Sequence, residues 1–156
     1  MKSNNPYLVS ASLYGALAFI VWAVFNNPGV IAFALYFLVA LAFWMAALFV
    51  YVKVTPYSEF ALVREGNLAA AVSLSGTALG MALPLASLAI HAVSIADLAF
   101  WALIALMAQL ALWFGLRKCV LPELEQAITT GKLAPAVVLS GFSIALGLLN
   151  AASLSY

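Results

Sequence analysis

The sequence predicts an all-α integral membrane protein of five transmembrane helices: one N-terminal accessory helix, then two parallel tandem repeats of a two-helix hairpin. Three observations carry that reading. First, 67% of the 156 residues are hydrophobic and 7% charged, with mean hydropathy +1.16; a chain so apolar has the bilayer as its solvent. Second, five runs, about 8–25, 29–52, 67–93, 98–116 and 133–154, contain no Lys, Arg, Asp or Glu. Each is long enough, or nearly so, to cross the hydrocarbon at about 1.5 Å per residue. The runs are continuous, whereas a strand barrel needs inside-outside alternation. Third, the undecapeptide GNLAAAVSLSG, Gly66 to Gly76, returns 65 residues later as GKLAPAVVLSG, Gly131 to Gly141, identical at eight of eleven positions. Composition alone gives agreement at about one position in ten, so the segment reads as an internal duplication.

The first run follows Lys2 and precedes the turn Asn26-Asn27-Pro28-Gly29. A signal peptide has the same outline, but no A-x-A-like cleavage site precedes the turn, and the run is read as a retained span. Within one membrane domain, residues 1–28 form the accessory helix, 29–93 the first repeat and 94–156 the second. That length leaves no room for a separate catalytic or soluble receptor module. The repeat offset covers a helix, a loop and a second helix, so the copies run parallel, unlike the inverted repeats of many transporters.

Threaded alternately, the five spans place Lys2, Lys53, Arg64, Arg117, Lys118 and Lys132 on one side and no Lys or Arg on the other. Six against none across short loops predicts a cytoplasmic N-terminus and an outward C-terminus. Trp22, Trp44, Trp101 and Trp113 fall toward span ends and read as interfacial or packing aromatics.

Each repeat carries a linker on the basic side. In the first, Thr55-Pro56 opens a segment closed by Gly66, with Phe60 and Val63 on one side and Glu59, Arg64 and Glu65 around it. In the second, Leu121-Pro122 opens a segment closed by Gly131, with Leu124, Ala127 and Ile128 apolar and Glu123, Glu125 and Gln126 polar. Pro at the start and Gly past the end punctuate short amphipathic helices, either resting on headgroups or docking a partner.

The duplicated helices are marked by small residues at four-residue spacing: Ser73 with Thr77, Gly76 with Gly80, Gly141 with Ala145, Ser143 with Gly147. Lipid tails supply no hydrophobic drive between helices, so such faces are expected to pack closely, near the pseudo-axis or at a subunit contact. Pro84 is expected to kink the third span in its outer half.

Polar residues at depth are few. Gln109 and Asn150, with Ser75 and Ser140, are the candidates for interhelical hydrogen bonds or for a solute pathway. At the outer turn His91, Ser94 and Asp97 stand together. His91 and Asp97 suit mutual pairing, weak metal binding or pH sensing; the preferred reading is a capped turn with Ser94 and Asp97 at the start of the fourth helix. The lone Cys119 precludes an intrachain disulfide or a cysteine metal cluster, and a net charge of +1 gives no electrostatic case for nucleic acid. With no intramembrane carboxylate, no Ser-His-Asp set at depth, no HExxH and no phosphate loop, the chain is not expected to be an enzyme or to carry a cofactor or metal.

The stretch following Val52, KVTPYSEFALVREGNLAAAVSLSGTALGMALPLASLAIHAVSIADLAFWALIALMAQL, resembles the bacterial YjfL-like family of inner-membrane proteins. The matching elements are Thr55-Pro56, Asn67 to Ala71, Ser75-Gly76, Gly80, Pro84, the Ala92-Val93-Ser94-Ile95-x-Asp97 turn, Trp101, Gln109 and Asn150-Ala151-Ala152, within about residues 40–156. The resemblance implies a tandem two-helix domain of unknown function in the bacterial inner (plasma) membrane. Many members have four spans, so the additional N-terminal helix is a departure. It also implies an envelope-stress setting with phage-shock-like peripheral membrane proteins. Two functional expectations follow: an oligomeric scaffold or anchor in envelope maintenance, recruiting a cytoplasmic peripheral partner through Arg64, Arg117 and Lys118; or an oligomeric channel or passive transporter for an ion or small solute.

Overall fold

The structure, a computed structural model, describes residues 6–154, with side chains from residue 12 onward. All its described regular elements are helical: α1 (Pro6–Phe25), α2 (Pro28–Val54), α3 (Glu59–Arg64), α4 (Leu68–His91), α5 (Ile95–Gly115), a π-helical turn (Leu116–Val120), α6 (Leu124–Thr129) and α7 (Leu133–Ser153). Four helices are long and apolar enough to cross a membrane: Pro28–Val54, Leu68–His91, Ile95–Val120 and Leu133–Ser153. The described part of α1 adds a shorter apolar stretch, Ser12–Phe25.

The fold falls into two units, Met1–Leu38 and Val39–Tyr156. In the first, the two asparagines make the turn between α1 and α2. Asn26 Nδ2 donates to Trp22 O at 2.9 Å, satisfying a carbonyl at the helix end, while Asn27 Oδ1 accepts the Gly29 amide at 2.9 Å. Pro28, which has no N–H to lose, then opens α2.

In the second unit α2 ends where Pro56 cannot continue it, and Thr55 Oγ1 donates back to Tyr51 O at 3.2 Å. Both linkers then form a six-residue helix, α3 or α6, closed by the same device. Gly66 at φ +85° and Gly131 at φ +79° are left-handed, a conformation that costs glycine no Cβ clash. Around them, Gly66 N donates to Val63 O and Asn67 N to Leu62 O, at 3.0 and 2.9 Å; Gly131 N donates to Ile128 O and Lys132 N to Ala127 O, at 3.0 and 2.8 Å. These paired bonds are Schellman closures, which return the chain into α4 and α7. We refer to this end of the bundle as the linker end and to the α4–α5 connection as the turn end.

The core is the pair α4 and α7, which share the most extensive contact in the molecule. They run parallel: Gly76 meets Ser140 near the linker end, Thr77 meets Ser143, and Ser87 Oγ donates to Ala151 O at 2.8 Å near the turn end. The Thr77–Ser143 and Ser87–Ala151 pairs are 66 and 64 residues apart in sequence.

Two boundaries differ from the sequence reading. The fourth span begins at Ile95 rather than residue 98, because Ser94 Oγ caps it by accepting the Asp97 amide at 3.1 Å. It also runs on past Leu116: Leu121 N reaches Leu116 O at 2.7 Å, a five-residue step that widens the last turn and keeps Arg117 and Lys118 on the helix rather than in a loop. Pro84 is buried inside α4, which continues through it to His91.

Candidate functional site

Small residues let the two central helices touch at their backbones. A Cβ added at Gly76 would collide with the Ser140 side chain and lie 2.6 Å from its Cα; one at Gly147 would collide with Gly80 O and lie 2.8 Å from Gly80 Cα. Pro84 has no N–H, so Gly80 O lacks its helical donor, and the bare Gly147 backbone packs against that carbonyl. Gln109, on α5, locks the crossing from the side: its Nε2 donates to Ser143 O at 3.0 Å, while its Oε1 is buried without a partner.

Ser73 is buried with its hydroxyl donating to Ala70 O of its own helix, and Gly76, Thr77, Gly80, Ser143 and Gly147 lie buried on the contact. Gly141 and Ala145 do not. The buried stripe of α7 is Ala136, Leu139, Ser143 and Gly147, and positions two residues away from it lie roughly 200° round the helix. Gly141 and Ala145 are therefore exposed, and a Cβ at Gly141 would meet nothing within 4 Å.

The four pathway candidates are not brought together. Ser75 is exposed, Ser140 abuts Gly76, Gln109 is buried against Ser143, and Asn150 is half-buried toward the turn end. At the turn end His91 and Asp97 face different partners. His91 Nδ1 lies 2.9 Å from Ser87 O, and Asp97 Oδ2 accepts the Val93 amide at 3.3 Å, completing a reciprocal cap with Ser94. Among the described residues no group of three His, Cys, Asp or Glu side chains is placed to hold a metal.

The linker cations also differ in role. Arg64 and Lys118 are exposed, but Arg117 donates to Glu125 Oε2 at 3.0 Å and lies 5.3 Å from the Trp113 ring centroid. Beside them α6 buries Leu124, Ala127 and Ile128. An open groove of about 400 Å³ lies there, floored by Leu121, Pro122, Leu124 and Ala127, with Glu123 and Lys132 as its charged members.

In the first linker helix a carboxyl is buried while the apolar side lies open. Glu59 has no exposed surface, whereas Phe60 is 54% exposed and Val63 36%. The cause is register: α3 starts at Glu59, directly after the Pro56-Tyr57 turn, so Glu59 and Leu62 face inward, against the bundle, and Phe60 and Val63 face out. Around Glu59 lies a set of buried polar groups that the sequence did not flag: Tyr51, Thr55, Tyr57 and Trp113. Neither carboxylate oxygen, neither phenol oxygen nor the Trp113 indole nitrogen has a hydrogen-bond partner. Tyr57 lies within electrostatic reach of Tyr51, Glu59 and Trp113. Burial pushes the Glu59 carboxyl above the usual carboxylate range. Burial also pushes the Tyr57 phenol up, with Tyr51 and Glu59 adding to it. One signal was available in the sequence: 65 residues after Glu59, where the second linker helix begins, stands Leu124.

A family model described as a domain of unknown function, DUF350, matches residues 4–154 of this arrangement of helices and linkers. The chain belongs to the DUF350 family. It is also 38% identical over 126 residues to the UPF0719 inner membrane protein YjfL of Escherichia coli strain K12, covering 81% of this chain and 95% of that protein. The YjfL protein of Escherichia coli O157:H7 matches with the same identity and coverage. No solved structure matches. The resemblance read from the sequence is thus established as family membership, and the chain is an all-helical membrane protein.

Proposed function

We propose that this DUF350 protein is a non-enzymatic anchor of the bacterial inner membrane, with five spans and a cytoplasmic linker end that docks a peripheral membrane protein. The observation that carries the reading is the apolar-floored groove beside α6, open at the end of the bundle where Lys53, Arg64, Lys118 and Lys132 gather. An apolar floor with charged members suits a protein partner bearing an apolar anchor and an acidic rim. The inner-membrane setting follows the name of the Escherichia coli relative, and the envelope-maintenance role follows the family resemblance. The N-terminus is placed in the cytoplasm by the positive-inside bias. The matching Schellman closures at Gly66 and Gly131, and the parallel α4 and α7, support two copies of one hairpin unit. Homo-oligomers form through the exposed α7 face that carries Gly141 and Ala145.

The test is photocrosslinking in native membranes from a probe at Glu123, with a probe at Leu103 on an exposed apolar face as control. A discrete adduct at Glu123 alone, lost in Lys118→Glu together with Lys132→Glu while the oligomer persists, supports the anchor. Adducts independent of both charges refute it. The channel reading places Gln109 at a water-filled passage; reproducible flux of K⁺, Na⁺ or Cl⁻ into liposomes, lost in Gln109→Leu, would replace the anchor.

A further inference from the structure

Glu59 is a carboxyl with zero exposure, and no described Lys, Arg or His forms an ion pair with it. The groups that face it and its neighbours come from every element packed there: Tyr51 from α2, Thr55 and Tyr57 from the connection, Trp113 from α5, and Thr77 of α4 beside Tyr51. None of these carries a positive charge. Of the cations on these and the adjoining elements, Lys53 of α2 lies 5.6 Å from the Phe49 ring centroid, Arg64 of α3 is exposed, and Arg117 of the π-helical turn is held by Glu125 and the Trp113 ring. An ionised Glu59 would be a buried charge with no cation paired to it, which burial strongly disfavours.

The fold contains its own control. The 65-residue offset that relates the two undecapeptides takes Tyr51, Thr55, Tyr57 and Glu59 to Leu116, Val120, Pro122 and Leu124. Leu124 opens α6 as Glu59 opens α3, and both are buried, at 1% and 0% exposure. A leucine suffices to build that position, so a glutamate there has a use beyond packing. Besides its own two oxygens, three unpartnered groups belong to the residues around it: two phenol hydroxyls and an indole N–H. The phenol hydroxyls can accept from, or donate to, a carboxylic acid, and the indole N–H can donate to it, once small side-chain shifts bring them into range.

We propose that Glu59 is a proton-binding site: its carboxyl is held un-ionised inside the linker end, and its ionisation drives α3 out of the bundle. The upward displacement of the Glu59 carboxyl by burial is consistent with this. Loss of the proton leaves a charge that only water can stabilise, and α3, six residues long and already exposing Phe60 and Val63, is the element free to carry it there. The inference rests on the first linker alone and stands apart from the docking reading.

The chain has five acidic residues, Glu59, Glu65, Asp97, Glu123 and Glu125, which makes infrared spectroscopy of the full-length protein in lipid decisive. The wild type is expected to show the C=O stretch of one un-ionised carboxyl at pH 7, shifted by ¹³C-glutamate labelling. The band is lost at alkaline pH together with faster amide exchange in residues 59–64. Glu59→Gln and Glu59→Leu should lack the band and keep slow exchange at both pH values. The labelled wild type fixes the assignment to a glutamate even if a variant fails to fold. Absence of the band in the wild type at pH 7, its persistence in Glu59→Gln, or unchanged exchange across its loss would overturn the proposal. Loss of the band at constant pH on adding Na⁺ or K⁺ would overturn it in favour of a metal-cation site.

Discussion

Gly80→Ala and Gly141→Ala make the same chemical change on two helices, yet the structure predicts opposite results. At Gly80 the new methyl would collide with Ser143 O and sit 2.7 Å from Gln109 Nε2. The carbonyl belongs to helix backbone and cannot rotate away, so α4 and α7 must separate, and overpacking of this kind costs about 1–3 kcal/mol. Separation also breaks the Gln109–Ser143 hydrogen bond, worth about 0.6 kcal/mol between membrane helices. At Gly141 the methyl meets nothing within 4 Å. Both changes gain the same helix propensity, up to about 1 kcal/mol, which cancels in the comparison. The two variants should therefore differ by about 2–4 kcal/mol, or on the order of 100-fold in the unfolding equilibrium. The assay is reversible unfolding in mixed micelles, titrated with a denaturing detergent and followed by far-ultraviolet circular dichroism. Equal stability of the two variants would refute the placement of α7 against α4.

Gly147→Ala should be destabilised like Gly80→Ala, because its methyl would meet the Gly80 backbone, as the same titration will show. Asn67→Ala should cost about 1–2 kcal/mol, since Asn67 Oδ1 caps α4 at the Ala70 amide while its Nδ2 donates to Ile128 O, both at 2.9 Å; the loss should exceed that of Ser94→Ala, whose cap is local. Glu59 sets a pH dependence with a defined sign: its folded pKa is raised, so its contribution is fully present below the unfolded value of about 4.3 and is lost as pH rises through the folded value. Wild-type thermal stability should thus fall with rising pH more steeply than that of Glu59→Leu, which should be at least as stable as the wild type at neutral pH. Arg117→Ala removes an ion pair whose partners are each 39% exposed, so it should cost no more than about 1 kcal/mol, and the cost should shrink as salt is raised.

Much of the architecture was legible in one dimension, for reasons the structure makes plain. A lipid-facing helix is specified by a run of apolar residues alone, so runs 29–52, 67–93 and 133–154 lie close to α2, α4 and α7. Left-handed glycine and the proline stop act over a few residues, so Pro56, Gly66 and Gly131 marked the linkers with no knowledge of what lay across them. Small residues also announced a close helix contact. What they could not announce was its direction. Two overlapping four-residue stripes run along α7, and only the position of α4 selects Ser143 and Gly147 over Gly141 and Ala145.

The family and the presence of membrane-spanning helices were determined by the sequence itself, because hydropathy and local turn chemistry need no neighbours. The tertiary structure alone decided that Gln109 closes on Ser143, that Arg117 is occupied by Glu125 and Trp113, and that Glu59 points inward. Burial of a polar side chain depends on the register of its helix against others. In α3 a helix of six residues begins at Glu59, and at about 100° of rotation per residue that register turns the Glu59 carboxyl inward and leaves Phe60 exposed.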